Sequence, residues 1–567
     1  MLQIALAGLY TTLLCWIWGH ATICLLQTAM PGAKKTLLPF SIVCLAGLSA
    51  LVVIACALSI RMPLGGWGLQ LVLLLLALLY LRLNKTAWPD VRAAIRKARS
   101  DFSPLLLTLF FTSILLLLVL GAWEVVHPDT LAYHAQAIRW IGQYKAVPGL
   151  VHLHMRYGLQ NDWFIAAALF SFPFTHTHAL TFVNTCAAAW YLLFVVCRIG
   201  EAWQHNNRKA WLRSLLYLLL LAYSFWDFGM LRLTAVSASP DFVAGLFCWT
   251  AFYLLANDDD EDRWILVFFF SIMAVLIKLS SAPILLLAAY ALYFFIKKRQ
   301  QKAVAYLIVF TLLAVVPYII RNIITTGYLV FPLPLADIIQ VDWKYDHHST
   351  RQVQQYISDY ARIGAEASLG GAALDAKQWL PIWWHNRGYA ERFAAGAVVL
   401  TLLPGVVLFK RVVLQVSFHT RLLLLVAATG LLFWFWQAPD PRFGYGFLFP
   451  LPGLVLYRLG LGYPLVEKAS KWLLIGGLAI FATIIAAYTG YRFLHFFHAK
   501  NWLQPEGIPP IATKTFIQQG ILFQVPCHVC GCGSTPLPCA YDDEPFLLRG
   551  PSLQDGFKTA RPLRSDR

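Results

Sequence analysis

"PLLLTLFFTSILLLLVLGA" (residues 104–122) is an apolar run that leads directly into "WEVVHPDTLAYHAQAIRWIGQYKAVPGL" (residues 123–150). The first segment has no charged residue and is long enough to cross the hydrocarbon core of a bilayer as a helix. The second begins with Glu124, His127 and Asp129 and continues as a helical pattern. Ionisable side chains therefore lie at the end of a predicted membrane helix, where they could cap a helix, line a transport path or take part in catalysis.

The composition of the whole chain extends this interpretation. Of 567 residues, 59% are hydrophobic and only 13% are charged, and the mean hydropathy is +0.62. A soluble globular protein has about 25% charged residues. The shortfall recurs along the chain and predicts a polytopic membrane protein, and the 21 tryptophans suit interfacial belts.

The net charge of +17 does not indicate a nucleic-acid partner, because the basic residues are grouped in short segments between apolar runs. That is the positive-inside pattern, which sets orientation in the membrane. The groups are Lys85, Arg92, Arg96, Lys97 and Arg99; Arg208 and Arg213; Lys297, Lys298, Arg299 and Lys302; and Lys410, Arg411 and Arg421.

Apolar runs of roughly spanning length predict an all-α membrane protein with about fourteen transmembrane helices. An even number places both termini on one side, and basic groups inside make that side external. The runs are 4–29, 36–60, 67–84, 104–123, 179–198, 211–228, 240–256, 264–279, 281–297, 303–321, 392–410, 422–436, 446–460 and 472–490.

This topology divides the chain into three parts. Residues 1–103 form additional N-terminal spans and a basic cytoplasmic loop, and residues 491–567 form a cysteine-containing tail outside. Residues 104–490 form the core, with large outer loops at 124–178 and 322–391. The pattern of the first loop predicts a helix lying in the membrane interface.

Asp129 is the leading candidate for chemistry in the first loop, with Glu124 second and His134 nearby. A carboxylate at this position suits a general base or a ligand for a divalent metal. The competing interpretation of Asp129, which follows a proline and precedes a helical pattern, is an ordinary helix N-cap.

Further polar candidates lie in the first loop, at the outer ends of apolar runs or in an outer turn and, in the case of Lys278, within an apolar hairpin. Most could equally be helix caps, snorkelling side chains or ordered turns, while Arg156 could fork onto a phosphate. They are Arg156, Asp162, Asp241, Lys278, Arg321 and Arg442.

The tail contains four cysteines, Cys527, Cys530, Cys532 and Cys539. Their spacing is compatible with a zinc site. The external location favours at least one disulfide instead, with its pairing undetermined.

The chain resembles the GT-C superfamily of integral-membrane glycosyltransferases, and more closely a bacterial family within it. The resemblance covers residues 104–567. It rests on "PDTLAYHAQAIRWI…VPGLVHLHMRYG", "SPDFVAGLF", "IKLSS", "RNIITTGYLVFPLP", "APDPRF" and the tail's "PLPC…LRG…DGF".

The resemblance implies a GT-C-like fold and an enzyme that takes a sugar from a polyprenyl-phosphate donor to a glycan, lipid or protein acceptor. It implies Asp129 as the base and inversion at the anomeric carbon, with the donor phosphate near Arg156, Lys278, Arg321 or Arg442. No D-x-D pattern occurs in 124–162, so dependence on a divalent metal stays open. The expected location is the bacterial cytoplasmic membrane, among its lipids, with the active face outward.

Two other functions remain open at this point. A polymerase or ligase of cell-surface polysaccharide would share the lipid-linked donor and the outer site. A secondary transporter is disfavoured, because no repeat relates two halves of the chain and no matched pair of broken helices is apparent.

Overall fold

The computed structural model is mostly helical. It describes residues 1–29, 38–85, 87–125, 127–172, 182–205, 210–211, 213–214, 216–218, 236–256, 263–368, 374–407, 410, 415–460, 464–509, 511–527, 531–540 and 546–560.

Local sequence signals set several of the helix boundaries. The helix at Pro104, for example, starts with proline at its first position, and the Ser103 hydroxyl accepts a hydrogen bond from Leu106 N–H. In chain order the helices are α1 (Leu2–Gln27), α2 (Phe40–Ser59), α3 (Trp67–Leu83), α4 (Ala87–Asp101), α5 (Pro104–Gly121), α6 (Ala135–Gln143), α7 (Asp162–Leu169), α8 (Phe182–His205), α9 (Asp241–Ala256), α10 (Trp264–Ile277), α11 (Leu285–Lys297), α12 (Gln301–Thr326), α13 (His347–Ile363), α14 (Ala376–Asn386), α15 (Tyr389–Val407), α16 (Phe418–Gln437), α17 (Tyr445–Leu448), α18 (Pro450–Gly460) and α19 (Pro464–Phe496).

Within the described residues, eight helices are long and apolar enough to cross a membrane, or nine if α3 and the start of α4 form one bent span. The protein is therefore a helical membrane protein. The eight are Leu2–Gln27, Phe40–Ser59, Pro104–Gly121, Phe182–His205, Leu279–Lys297, Gln301–Thr326, Phe418–Gln437 and Lys468–His495.

The predicted number of fourteen spans is not reached, for physical reasons. Helices α9 and α10 have 16 and 14 residues. At 1.5 Å per residue they are about 24 and 21 Å long, short of a hydrocarbon core of about 30 Å. The run 446–460 is divided between α17 and α18, and much of 211–228 lies outside the described residues.

The N-terminal helices belong to the same bundle as the rest. One cluster of buried side chains extends from Met1 to Ile508. Helices α1 and α2 approach backbone to backbone, since a Cβ on Gly19 would lie 1.8 Å from the Val43 carbonyl oxygen. Small residues at such crossings are typical of packing between membrane helices.

The tail is built from short strands, so the all-α prediction is wrong for this part. Antiparallel β1 (Thr513–Gln518) and β2 (Ile521–Pro526) join at a turn in which Gln519 and Gly520 both have positive φ, as tight hairpins require. Strands β3 (Phe546–Leu548) and β4 (Phe557–Thr559) form a second antiparallel pair.

The structure pairs two of the four candidate cysteines, Cys532 and Cys539, in a disulfide. Cys527 is a free thiol, and Cys530 lies outside the described residues. The predicted preference for a disulfide in the tail is thus met by this pair.

The tail docks on both large loops. Arg139 of α6 donates to the Thr535 carbonyl oxygen at 2.8 Å, and Gln136 donates to the same oxygen at 2.7 Å. Further along, Arg549 forms two hydrogen bonds with the carboxylate of Asp342, at 2.9 and 3.0 Å. The tail therefore braces the first loop against the segment that follows α12.

Candidate functional site

The candidate site lies at one end of the helical bundle, where several helices begin or end. Asp129 follows α5, and Asp241 is the first residue of α9. Lys278 directly follows α10, and Arg442 lies in a 3-10 turn, Pro441–Gly444, soon after α16. Residues distant in sequence are brought together here, because these helix ends meet on the same side of the bundle.

Asp129 is held by two guanidinium groups. Its Oδ2 accepts a hydrogen bond from Arg442 Nη1 at 2.8 Å, and its Oδ1 lies 3.6 Å from Arg156 Nη1. Its side chain is about a quarter exposed. Charge-assisted pairs of this kind are stronger than neutral hydrogen bonds, so Asp129 is oriented by both arginines.

The N-cap interpretation of Asp129 is wrong. The Asp129 side chain makes no capping hydrogen bond to the π-helical turn Thr130–His134 that follows it. His127 Nδ1 accepts the Thr130 N–H at 3.3 Å in its place. Short π-helical turns often occur at functional sites, and this one leaves the Asp129 carboxylate free to pair with Arg442.

A second carboxylate extends the cluster. Asp241 is buried and forms an ion pair with Lys278 through Oδ1. Its Oδ2 accepts a hydrogen bond from the Ser239 hydroxyl at 3.0 Å and lies 3.9 Å from Arg442 Nη1. Asp241 thus links Lys278 to the arginine that also holds Asp129.

Asp440 is the third carboxylate of the cluster. It accepts the backbone N–H of Arg442 at 3.2 Å and lies 3.3 Å from Arg442 Nε. Trp434 fixes the position of this turn by donating to the Asp440 carbonyl oxygen at 2.6 Å. We call the set Asp129, Arg156, Asp241, Lys278, Asp440 and Arg442 the charge cluster.

The electrostatics keep Asp129 ionised. Burial would raise the pKa of the Asp129 carboxyl, but the positive charges of Arg442, first, and of Arg156 hold that pKa well below its usual range. Burial would lower the pKa of Arg442, and the carboxylates of Asp440 and Asp129 raise it above its usual value. The pair is therefore a carboxylate and a guanidinium at neutral pH.

Two buried imidazoles lie beside Asp129. The rings of His127 and His134 stack with centroids 5.5 Å apart and an interplanar angle of 29°. Burial lowers the pKa of His127 to about 4 and lowers that of His134 well below its usual value. Both rings are neutral at pH 7, so they add hydrogen-bonding groups to this end of the bundle without adding charge.

Aromatic rings frame the cations of the charge cluster. The Arg156 guanidinium lies 5.6 Å from the Tyr133 ring centroid and 5.8 Å from that of Tyr356. The Lys278 ammonium lies 3.8 Å from the Phe443 ring centroid. Such cation–π contacts stabilise cations that are partly removed from water.

The structure gathers most of the predicted site residues and separates the rest. Glu124 is exposed, and no ion pair among the described residues joins it to the charge cluster. Arg321 is buried in α12, where it donates to the Ser59 hydroxyl and to Gln160 Oε1. Its charge also acts on the buried Asp162, so these two define a separate polar group. The gathered residues are Asp129, His134, Arg156, Asp241, Lys278 and Arg442.

The site residues predicted from the sequence include neither Asp440 nor Tyr356. Asp440 stands two residues before Arg442 in "APDPRF", and this spacing could have suggested it. Tyr356 lies 200 positions from Arg156 in the sequence. Only its place four residues before Tyr360 in a helical pattern marks it.

The described residues do not fit a metal ion in this cluster. No group of three or more histidine, cysteine, aspartate or glutamate side chains among them is arranged to bind one. Both carboxylate oxygens of Asp129 face guanidinium groups.

The fold and this cluster define a helical membrane protein with a network of buried ion pairs at one end of its bundle. The chain belongs to the family described as Domain of unknown function (DUF8201), whose model matches residues 1–449. The match includes the first three helices and continues through the charge cluster. Searches of curated proteins and of solved structures found no significant match.

Proposed function

We propose that this protein is a membrane glycosyltransferase, which moves a sugar from a polyprenyl-phosphate donor to a glycan, lipid or protein acceptor. The observation that carries the proposal is the convergence of Arg156 and Arg442 on Asp129 at the end of the bundle. Cations suited to a lipid phosphate and a carboxylate suited to an acceptor hydroxyl stand there together. The GT-C resemblance of the surrounding sequence supports the same chemistry.

The donor phosphate binds to the cations of the charge cluster. A guanidinium forks onto phosphate oxygens, and Lys278 adds a compact positive charge. The isoprenoid chain lies against the apolar outer surfaces of the bundle, which present large side chains such as Leu312 and Leu313 of α12. One end of the donor thus remains in lipid while its sugar reaches the polar loops.

Phosphate binding frees the Asp129 carboxylate from its arginine partners. The donor phosphate competes with the Asp129 carboxylate for Arg442 and Arg156. When these arginines turn toward the phosphate, the carboxylate loses the positive charges that hold its pKa low, and it becomes a better proton acceptor. Donor binding and activation of Asp129 are therefore coupled.

The transfer is a single displacement with inversion at the anomeric carbon. The acceptor hydroxyl oxygen forms a bond to that carbon, and the bond from the carbon to the phosphate oxygen breaks. The hydroxyl proton goes to Asp129, and the electron pair of the broken bond stays on the phosphate. Arg156, Lys278 and Arg442 stabilise the charge that develops there.

The orientation follows from the positions of the basic segments. With these segments in the cytoplasm, the charge cluster faces the outer side of a bacterial cytoplasmic membrane. The acceptor reaches it from the water, and the donor reaches it from the outer leaflet. A polysaccharide polymerase or ligase would use the same site with a different acceptor.

A secondary transporter is the second candidate, and one observation favours it. Asp162 and Arg321 are buried among helices away from the charge cluster, and ionisable groups at such positions often mark ion pathways. The two candidates differ in whether a new glycosidic bond forms.

The proposal is tested in cells by exchanging Asp129 for asparagine and profiling cell-surface glycans. Loss of one glycan, with the protein present at its normal level, is the expected result. The control is Glu366→Gln, which alters an exposed carboxylate outside the charge cluster. An unchanged glycan profile in Asp129→Asn would overturn the assignment of Asp129.

A further inference from the structure

Helix α13 connects the end of α12 to the end of α16, which leads into the turn that holds Arg442. Just before it begins, Tyr345 N–H donates to the Thr326 carbonyl oxygen at the end of α12, at 2.9 Å. Near its own end, the Ser358 hydroxyl donates to the Gln437 carbonyl oxygen at 2.7 Å, and Arg362 donates to that of Trp436 at 3.0 Å. The helix is therefore fixed to the ends of both α12 and α16.

Two tyrosines of α13 lie on one face of this helix. Tyr356 and Tyr360 are four residues apart, and their ring centroids are 6.1 Å apart at an interplanar angle of 40°. Both side chains are partly exposed. They form an aromatic surface that neighbouring side chains do not fully cover.

This aromatic surface adjoins the charge cluster. Arg156 Nη2 donates to the Tyr356 hydroxyl at 3.2 Å. Burial raises the pKa of the Tyr360 hydroxyl. The nearby charge of Arg442 opposes this rise, and the charges of Asp129 and Asp440 add to it. Both rings are thus within reach of a molecule whose phosphate binds Arg156 and Arg442.

We propose that Tyr356 and Tyr360 bind the sugar of the donor, with the C–H face of a pyranose ring packed against the two aromatic rings. This inference rests on the proposed function, since it takes the charge cluster as the site of the donor phosphate. A sugar is one bond away from that phosphate, so it must lie beside the cluster. Aromatic side chains offer a large, rigid contact surface with a polar edge that can also hydrogen-bond to sugar hydroxyls.

The alternative is that Tyr356 only holds Arg156 in place. Two substitutions separate these roles. Tyr356→Phe removes the hydroxyl that accepts from Arg156 and keeps the ring, whereas Tyr360→Leu removes a ring for which Arg156 has no cation–π contact among the described residues. A matched control is Tyr389→Leu, at a highly exposed tyrosine on α15.

The test measures binding to the full chain in lipid nanodiscs. The probes are bare polyprenyl phosphate and polyprenyl phosphates that carry glucose, galactose or mannose. We expect wild type to bind at least one sugar-bearing lipid on the order of fivefold more tightly than the bare lipid. Tyr360→Leu should abolish that preference and leave the affinity for bare polyprenyl phosphate unchanged, while Tyr356→Phe and Tyr389→Leu keep the preference.

The outcomes distinguish the two proposals. Suppose that bare polyprenyl phosphate binds, that Arg442→Ala weakens this binding, and that Tyr360→Leu retains the sugar preference. Then the aromatic surface does not bind the sugar, while the phosphate site is supported. A wild type that binds no sugar-bearing lipid better than the bare lipid also contradicts sugar binding by the aromatic surface. If bare polyprenyl phosphate does not bind, or binds equally well to Arg442→Ala, the proposed function itself is wrong.

Discussion

Arg442 Nη1 lies 2.8 Å from Asp129 Oδ2, although the two residues are 313 positions apart in the sequence. This pair joins the first large loop to the turn after α16. Because Arg442 also contacts Asp440 and Asp241, it is the centre of the charge cluster. A change at Arg442 should therefore affect both the stability of the loop and any anion that binds there.

The energetic coupling between Asp129 and Arg442 can be measured with a double-mutant cycle. We expect Asp129→Asn and Arg442→Gln each to lower the free energy of unfolding, because each leaves a partner unpaired in a largely buried site. The coupling energy should be about 1–3 kcal/mol, measured by denaturant titration in mixed micelles. Strictly additive effects would show that the pair does not hold the loop.

The first loop should make the protein sensitive to mild acid. Burial lowers the pKa of His127 and of His152 to about 4, and burial together with the charge of Arg156 lowers that of His154 to about 3. The unfolded chain takes up these protons near pH 6.5. The neutral buried imidazoles therefore leave the folded state fully stable above pH 6.5. As the pH falls toward 4, the free energy of unfolding decreases by up to about 1.4 kcal/mol per imidazole and pH unit.

We therefore expect the Tm to fall between pH 7 and pH 5. In His154→Asn the fall should be smaller, since one buried imidazole is removed and the amide oxygen can still accept the Arg156 N–H that His154 Nδ1 accepts now. His348→Asn, at an exposed position on α13, serves as the control and should behave like wild type. If the Tm of His154→Asn falls with pH as much as the Tm of wild type does, His154 does not contribute to the acid sensitivity.

The disulfide of the tail should stabilise the site from a distance. The carbonyl oxygens of residues 533–535, between Cys532 and Cys539, accept hydrogen bonds from Gln136 and Arg139 of α6. Cys532→Ser should cost about 2 kcal/mol of unfolding free energy through the lost loop closure. It should also weaken polyprenyl-phosphate binding, because α6 directly follows the turn after Asp129.

Cys527→Ser is the matched control for this prediction, since Cys527 is a free thiol in the same tail. Thermal unfolding of both variants, with and without reductant, decides the point. If reduction leaves the Tm of wild type unchanged, the disulfide does not support the fold.

Arg321 should matter for stability and not for the donor. It donates hydrogen bonds to the Ser59 carbonyl oxygen, the Ser59 hydroxyl and Gln160 inside the bundle. Arg321→Met leaves those acceptors and Asp162 without their cation, and removing one partner of a buried charged group typically costs about 3–5 kcal/mol. The folded fraction of this variant should bind polyprenyl phosphate as wild type does. A loss of that binding would show that Arg321 is part of the donor site.

The sequence predicted the class of protein and much of the site, because apolar run length and the residues at run ends follow from local physics. Asp129, Asp241, Lys278 and Arg442 all stand where an apolar helix begins or ends. It did not predict which of them pair, since an ion pair across 313 positions depends on how helices pack. It also placed Arg321 at the site, because a helix end in the sequence does not show which neighbours will cover it.

The number of spans was overestimated for a related reason. An apolar run that is buried on all sides inside a bundle looks like one that faces lipid. In α10, 13 of its 14 residues are buried, so its composition reflects packing against other helices as much as contact with lipid.

The transfer reaction proposed for this protein can be measured by incubating the purified chain in detergent with a polyprenyl-phosphate sugar and a cell-envelope acceptor fraction. In detergent no compartment exists, so transport has no meaning while transfer does. We expect the sugar to appear on the acceptor and free polyprenyl phosphate to be released, and we expect Asp129→Asn to reduce both by about 100-fold or more. The proposed transfer would be contradicted if neither product forms from polyprenyl phosphates that carry glucose, galactose or mannose, or if Asp129→Asn is fully active.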